Sequence, residues 1–188
     1  MTEDNTNTRD PAGHSLRGQG PFEAERFGTL WLVWSDVGIV SLTLPGRDRR
    51  FAEGDGPAVC DVPEKYAKPL RDYFAGEAID PTTIDVDMRG TRFQQRVWSA
   101  LRAIPRGQVR SYAGIAADVG SPRAMRAVGM ANSKNPIAIV VPCHRVVEKG
   151  NRLGGYTGGL DKKIFLLELE GVRVEGDVVL PGQLDLTL

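Results

Sequence analysis

Asn135-Pro-Ile-Ala-Ile-Val-Val-Pro-Cys-His-Arg-Val-Val147 is the stretch on which the reading of this chain turns. Ile137 to Val141 form an apolar run of strand length with no polar alternation, the pattern of a segment buried on both faces. It is predicted as a buried strand or extended segment that delivers Cys143 and His144 into the interior. A thiol attacks as the thiolate, which forms where a base, a cation or a helix N-terminus favours it. His144 is the adjacent base, but neighbouring side chains on extended backbone point to opposite faces. A turn or an intervening water must therefore bring ring and sulfur together; otherwise Cys143 is an inert core thiol, the commoner state of a buried cysteine.

Outward from this stretch, the glycine-rich segment Gly150 to Gly159 reads as a loop, and a last helix is predicted over about Leu160 to Leu169. Upstream, Thr91 caps a helix whose apolar positions are Phe93, Val97, Trp98, Leu101 and Ile104, and Pro105-Arg-Gly107 stops it. A second helix runs from about Tyr112 to Val119. Gly120-Ser-Pro122 turns the chain, with Pro122 suited to the first position of a third helix reaching about Asn132. Helix, glycine-containing turn and helix is the helix-turn-helix pattern, which many helical hairpins also match without touching DNA. Ala124, Ala127, Gly129, Ala131 and Asn132 leave the third helix with small side chains over much of its surface. Such a surface can enter a narrow minor groove, whereas major-groove readers present long side chains.

The first half reads as a small α+β unit. Gly28 to Trp34 and Ile39 to Leu44 are predicted strands around a Ser35–Gly38 turn. Glu64 to Phe74 has helical spacing, with Pro69 expected to weaken or split it, and Ile84 to Asp87 reads as a further short strand. The expected organisation is a loose tail over 1–21, an α+β domain over 22–88, a mainly helical domain over 89–170 and an extension over 171–188.

Composition narrows the classes. Two cysteines and two histidines in 188 residues exclude a disulfide framework and supply no paired ligand set for structural zinc. No metal or other cofactor is expected. No run approaches the ~18 apolar residues of a membrane span, and the polar first twenty residues do not read as a secretory signal. A cytoplasmic protein, monomeric in solution, is expected. Net charge is zero, but it is split: residues 89–163 hold 14 Lys and Arg against 3 Asp and Glu, so the remainder is equally acidic. That asymmetry suits a half that meets a polyanion, and equally a solvated basic face.

Taken together, Gly107-Gln-Val-Arg-Ser-Tyr112, Arg123-Ala-Met-Arg-Ala-Val-Gly129, Asn135-Pro136, Val141-Pro-Cys-His-Arg-Val-Val147, Gly155-Tyr-Thr-Gly-Gly159 and Leu166-Leu-Glu-Leu-Glu170 closely resemble the O6-alkylguanine-DNA alkyltransferase family. The resemblance covers roughly Gly90 to Glu170. It implies an α+β fold, with a ribonuclease-H-like N-terminal domain before a helical DNA-binding domain. It also implies repair of O6-alkylguanine by irreversible transfer of the alkyl group to the protein's own cysteine.

By that resemblance Cys143 is the acceptor, His144 the base acting through a water, Glu170 its orienting carboxylate and Asn135 the brace of the reactive segment. Tyr112 meets N3 of the base, and Arg126 enters the duplex in place of the expelled nucleotide. The DNA face takes in Ser111, Arg123, Ala124, Ala127 and Gly129, and the base pocket Pro142, Val146, Gly154, Tyr156 and Thr157. Double-stranded DNA, held in the minor groove with little sequence preference, is the implied partner. Two other readings are a cysteine hydrolase, which would turn over, and a non-catalytic alkyltransferase-like lesion binder. The latter carries another residue where this chain has Cys143.

Overall fold

The computed structural model describes residues 14–47 and 56–180. Three antiparallel strands, β1 (Leu16–Ala24), β2 (Gly28–Ser35) and β3 (Ile39–Thr43), form a sheet in chain order. The turn between β2 and β3 is closed by Ser35, whose Oγ accepts from the amides of Val37 and Gly38 and donates to Asp87 at 2.8 Å. Such side-chain capping of a tight turn is the habitual use of serine.

β1 begins inside the segment expected to be a loose tail, a correction to that expectation. Residues 58–60 pair with it on the side away from β2, through Gln19 N to Ala58 O and Cys60 N to Gln19 O. A Cβ at Gly20 would collide with the Cys60 carbonyl, so the glycines that mask a strand in the sequence are what admit this close approach.

Helix α1 (Glu64–Phe74) covers the sheet and is not split at Pro69. The carbonyl that Pro69 leaves unpaired is that of exposed Lys65, where water can satisfy it. Ile84 to Asp87 is not a strand. It makes a single bridge to Ile39, with Ile39 N donating to Asp85 O and Asp87 N to Ile39 O.

The second half is helical. Thr91 caps α2 (Arg92–Arg102) in a reciprocal capping box with Gln94. A short strand β4 (Arg110–Ser111) leads to α3 (Tyr112–Asp118), which Ser111 caps by accepting from Gly114 N. α4 (Met125–Ser133) starts three residues later than expected. Pro122 and Arg123 are instead spent in a turn closed by Ala124 N to Ser121 O at 2.8 Å. The Trp98 indole donates to Ala131 O and ties α4 to α2.

The run Ile137–Val141 is buried, as its composition requires, but it is not a strand. After one bridge from Ile137 to Leu42 of β3 it folds into a tight turn, Val141 N donating to Ile137 O, with Ile139 at φ 72°. A β-branched residue in the left-handed region costs about 1–3 kcal/mol and persists only where its surroundings fix it. The turn lands Cys143, His144 and Arg145 on a single 3-10 turn. Strand β5 (Val146–Val147) then pairs parallel with β4, and the glycine loop leads to α5 (Leu160–Leu169).

The sheet, α1, α2, α3, α4 and the reactive segment share one continuous core, including Leu32, Ile39, Tyr66, Tyr73, Trp98, Ile115 and Val141. The start of the C-terminal extension is structured too. β6 (Val174–Glu175) and β7 (Val178–Val179) form a hairpin whose Val179 joins Val109, Val147, Leu153 and Leu167 in a second cluster. Residues 1–13 and 181–188, the remainder of the expected tail and extension, lie outside the described residues.

Candidate active site

On a 3-10 turn successive side chains diverge by about 120° rather than 180°. Cys143 therefore faces a recess, while His144 and Arg145 turn into the protein and are fully buried. His144 Nε2 lies 2.9 Å from Glu170 Oε1, at the C-terminal end of α5. An ionised carboxylate only accepts, so Nε2 carries the proton and Nδ1 keeps the lone pair. That Nδ1 is buried and has no partner among the described residues.

Glu170 Oε1 also accepts from Tyr73 Oη at 2.8 Å and Arg145 Nη2 at 2.9 Å, and Oε2 accepts from Arg145 Nε at 2.8 Å. Burial alone would raise the Glu170 carboxyl, but His144 and Arg145 outweigh it and hold the group well below the usual carboxylate range. Burial lowers the His144 imidazole, with Glu170 opposing. Burial raises the Cys143 thiol, and the nearby Asn135, Tyr156 and Lys163 recover part of that rise. The resting sulfur is thus a neutral thiol beside a neutral base.

Asn135 braces the turn: its Nδ2 donates to Val141 O at 2.7 Å and its Oδ1 accepts from Ile137 N at 3.0 Å. Lys163, buried on α5, donates to Val146 O at 2.7 Å and to Leu153 O, joining the reactive segment to the glycine loop. Burial lowers its ammonium to about 8.

Two adjoining recesses open at Cys143. One is walled by Tyr112, Gly129, Asn132, Gly155, Tyr156 and Thr157. The other extends past Asn135 to the end of β3 and Arg47. Tyr112 thus meets Cys143 across a common cavity, its hydroxyl accepting from Asn132 Nδ2 at 3.4 Å. Tyr156 and Thr157 line both recesses. Pro142, Val146 and Gly154 do not. Pro142 precedes the 3-10 turn, Val146 is sealed in the core by its pairing with Arg110, and Gly154 turns against Glu148. Gly158 lines the second recess where the loop passes so close to Leu44 that a Cβ would collide.

On the outer face, Arg123 and Arg126 are exposed, and Ala127, Ala124 and Gly129 leave a shallow surface on and before α4. A Cβ on Gly129 would sit 3.9 Å from Tyr112 Cε1, an ordinary contact, so internal packing does not require glycine there. Ser111 serves as the cap of α3. Two large apolar side chains, Met125 and Met130, also stand out from this helix. Among the described residues no cluster of His, Cys, Asp and Glu could hold a metal ion, and no helix is long and apolar enough to cross a membrane.

Residues 92–172 match the model of the 6-O-methylguanine DNA methyltransferase DNA-binding domain. The methylated-DNA–protein-cysteine methyltransferase of Mycolicibacterium paratuberculosis is 58% identical over 150 residues, covering 73% of this chain and 89% of that one. The chain belongs to the methylated-DNA–protein-cysteine methyltransferase family. The Mycobacterium tuberculosis protein of that name is 54% identical over 111 residues, 59% of this chain and 67% of its own. The crystal structure of Mycobacterium tuberculosis OGT in complex with DNA superposes with a TM-score of 0.72 at 40% identity, covering 81% of this chain and 92% of that one.

Sequence reasoning missed Tyr73, Asp80, Arg145, Lys163 and Asn132 as parts of the site. Arg145 stood in the quoted motif, and its burial was signalled only by the apolar residues around it. Asn132 was read as a small surface residue of α4, whereas it is buried and faces Tyr112.

Proposed function

We propose that this protein repairs DNA by direct reversal, taking the alkyl group from O6 of guanine onto Cys143 in a single irreversible step. The observation that supports this best is a recess shared by Cys143 and Tyr112, backed by the buried His144–Glu170 pair. A guanine in a duplex hides its O6 substituent, so the nucleotide must be extruded. Arg126, exposed on α4, fills the gap it leaves and offsets part of the lost stacking.

With the base in the recess, the Cys143 proton passes through a bridging water to His144 Nδ1 while the sulfur attacks the alkyl carbon. The carbon–oxygen bond breaks, its electron pair goes to O6, and charge spreads over the purine. Tyr112 at N3 meets that charge with its hydroxyl; burial keeps the phenol protonated. In net terms the alkyl group ends on sulfur and the thiol proton on guanine. The product is a thioether that water does not cleave, so each molecule acts once. Such a protein works where the DNA is, in the cytoplasm of a cell without a nucleus.

Incubation with a duplex containing O6-methylguanine is expected to add one methyl group, about 14 Da, to the peptide bearing Cys143. Intact-mass spectrometry with peptide mapping checks this. Continued turnover of an ester or amide without an adduct would instead favour a hydrolase.

Arg126→Ala is expected to slow repair of duplex DNA on the order of 10-fold or more, while reaction with free O6-benzylguanine is nearly unchanged. Only the duplex pays the few kcal/mol of extrusion. Equal losses on both substrates would remove Arg126 from that role. DNA affinity should fall steeply with salt and vary little with sequence, because a basic segment and a small-residue helix offer phosphate contacts rather than base contacts. Titrations at several salt concentrations on unrelated duplexes check it.

A further inference from the structure

The reaction just described uses Glu170 as the partner of His144, but it leaves unexplained a phenol from the other half of the molecule. Tyr73 lies on α1, 97 residues from Glu170 in sequence, and its hydroxyl donates to Glu170 Oε1 at 2.8 Å. That oxygen is the one His144 uses. The same half supplies Asp80, whose Oδ1 accepts from Arg145 Nη2 at 3.0 Å, while Arg145 grips both oxygens of Glu170. Tyr73, His144 and Arg145 have no solvent exposure, and Glu170 has 4%.

The arrangement is more than the satisfaction of a buried tyrosine. Tyr66, two turns earlier on α1 and just as deeply buried, has a hydroxyl with no hydrogen-bond partner among the described residues. The core therefore tolerates a tyrosine on this helix whose oxygen finds no partner among the described residues. Tyr73 differs in having its oxygen placed on the catalytic carboxylate.

We propose that Tyr73 is a positioning residue of alkyl transfer: its hydroxyl fixes Glu170 and thereby His144, so that the N-terminal half completes the reactive site. The proposal rests on the alkyl-transfer reading above. Three donors compete for Glu170 Oε1. Removing the phenol leaves more of the carboxylate's charge to the imidazole, which stabilises protonated His144. The charged groups facing His144 are Glu170 from the end of α5, Arg145 beside it and Lys163 from within α5, with the Cys143 thiol next to it in sequence. None of these changes in a Tyr73→Phe protein, which keeps the ring that fills the core.

The test uses full-length protein and two readouts. The chain has two histidines, His14 and His144, so ring-15N-labelled histidine gives two sets of ring signals, and a His14→Asn protein identifies the set from His144. In Tyr73→Phe the His144 midpoint should rise by on the order of half a pH unit, and Tyr66→Phe should leave it where it is. The acid limb of the rate of transfer from free O6-benzylguanine should move up by the same amount. The rate of the covalent step should drop roughly 3–10-fold with the half-saturating concentration unchanged.

3-Fluorotyrosine at position 73, a stronger donor of nearly the same shape, should move the midpoint the other way, and it keeps the test alive if Tyr73→Phe does not fold. A midpoint and acid limb equal to the unmodified protein's, or equal shifts in Tyr66→Phe and Tyr73→Phe, would overturn the proposal. If the unmodified protein transfers no alkyl group, the functional reading fails instead, and the His144 titration still decides whether Tyr73 acts on it.

Discussion

Cys143→Ser is expected to abolish alkyl transfer outright while leaving the protein folded and able to bind DNA. Serine is nearly isosteric, and at a position only 8% exposed its hydroxyl replaces a thiol that shares a recess with the polar side chains of Asn135 and Tyr156. The cost in stability should stay near 1 kcal/mol. Chemistry is another matter, because an alcohol is a far weaker acid and a far poorer nucleophile toward a saturated carbon than a thiol, and burial lowers the basicity of His144. Mass spectrometry of the variant after incubation with methylated duplex should show the unmodified mass, and denaturant unfolding should match the parent within about 1 kcal/mol. A stoichiometric methyl adduct on the variant would disqualify Cys143 as the acceptor.

The second large effect is expected at Glu170. Glu170→Ala removes the acceptor of four hydrogen bonds and leaves Arg145 buried with Asp80 as its remaining carboxylate. Breaking one side of a buried ion pair costs about 3–5 kcal/mol. The sign with pH follows from the depressed carboxyl. Its stabilisation is complete above the unfolded value near 4.3 and fades as pH falls toward the much lower folded value. The gap between parent and variant should therefore be widest at neutral pH and narrow below about pH 4. Unfolding curves at pH 7 and pH 3 check it; a gap that widens toward acid would mean Glu170 is not held ionised by His144 and Arg145.

How far the sequence foretold this molecule depends on the distance over which each feature is decided. α5 lies where its apolar spacing puts it, and the Thr91 cap and the β2–β3 turn are likewise settled by a few neighbouring residues. Ile137–Val141 shows the limit. Five apolar residues announce burial but do not distinguish a strand from a buried turn, and Ile139 at positive φ is held by Asn135 and by β3, neither of which the run encodes. Cys143, His144, Glu170 and Tyr112 were legible because they sit in quoted motifs. Tyr73 was not, since on α1 it and Tyr66 satisfy the same apolar periodicity, and only the folded chain shows which hydroxyl meets a carboxylate.

The buried, protonated state of Cys143 also bears on how long an unused molecule stays fit for service. A reagent consumed by its first reaction must not be consumed by the wrong one. Peroxides and diffusing electrophiles select thiols that are exposed and ionised. Cys143 is neither at rest, so oxidative wear should fall first on Cys60, which stands in solvent at the edge of β1. A stored population would then keep its repair capacity through mild oxidative stress, because the sulfur becomes a nucleophile only once a base fills the recess beside it.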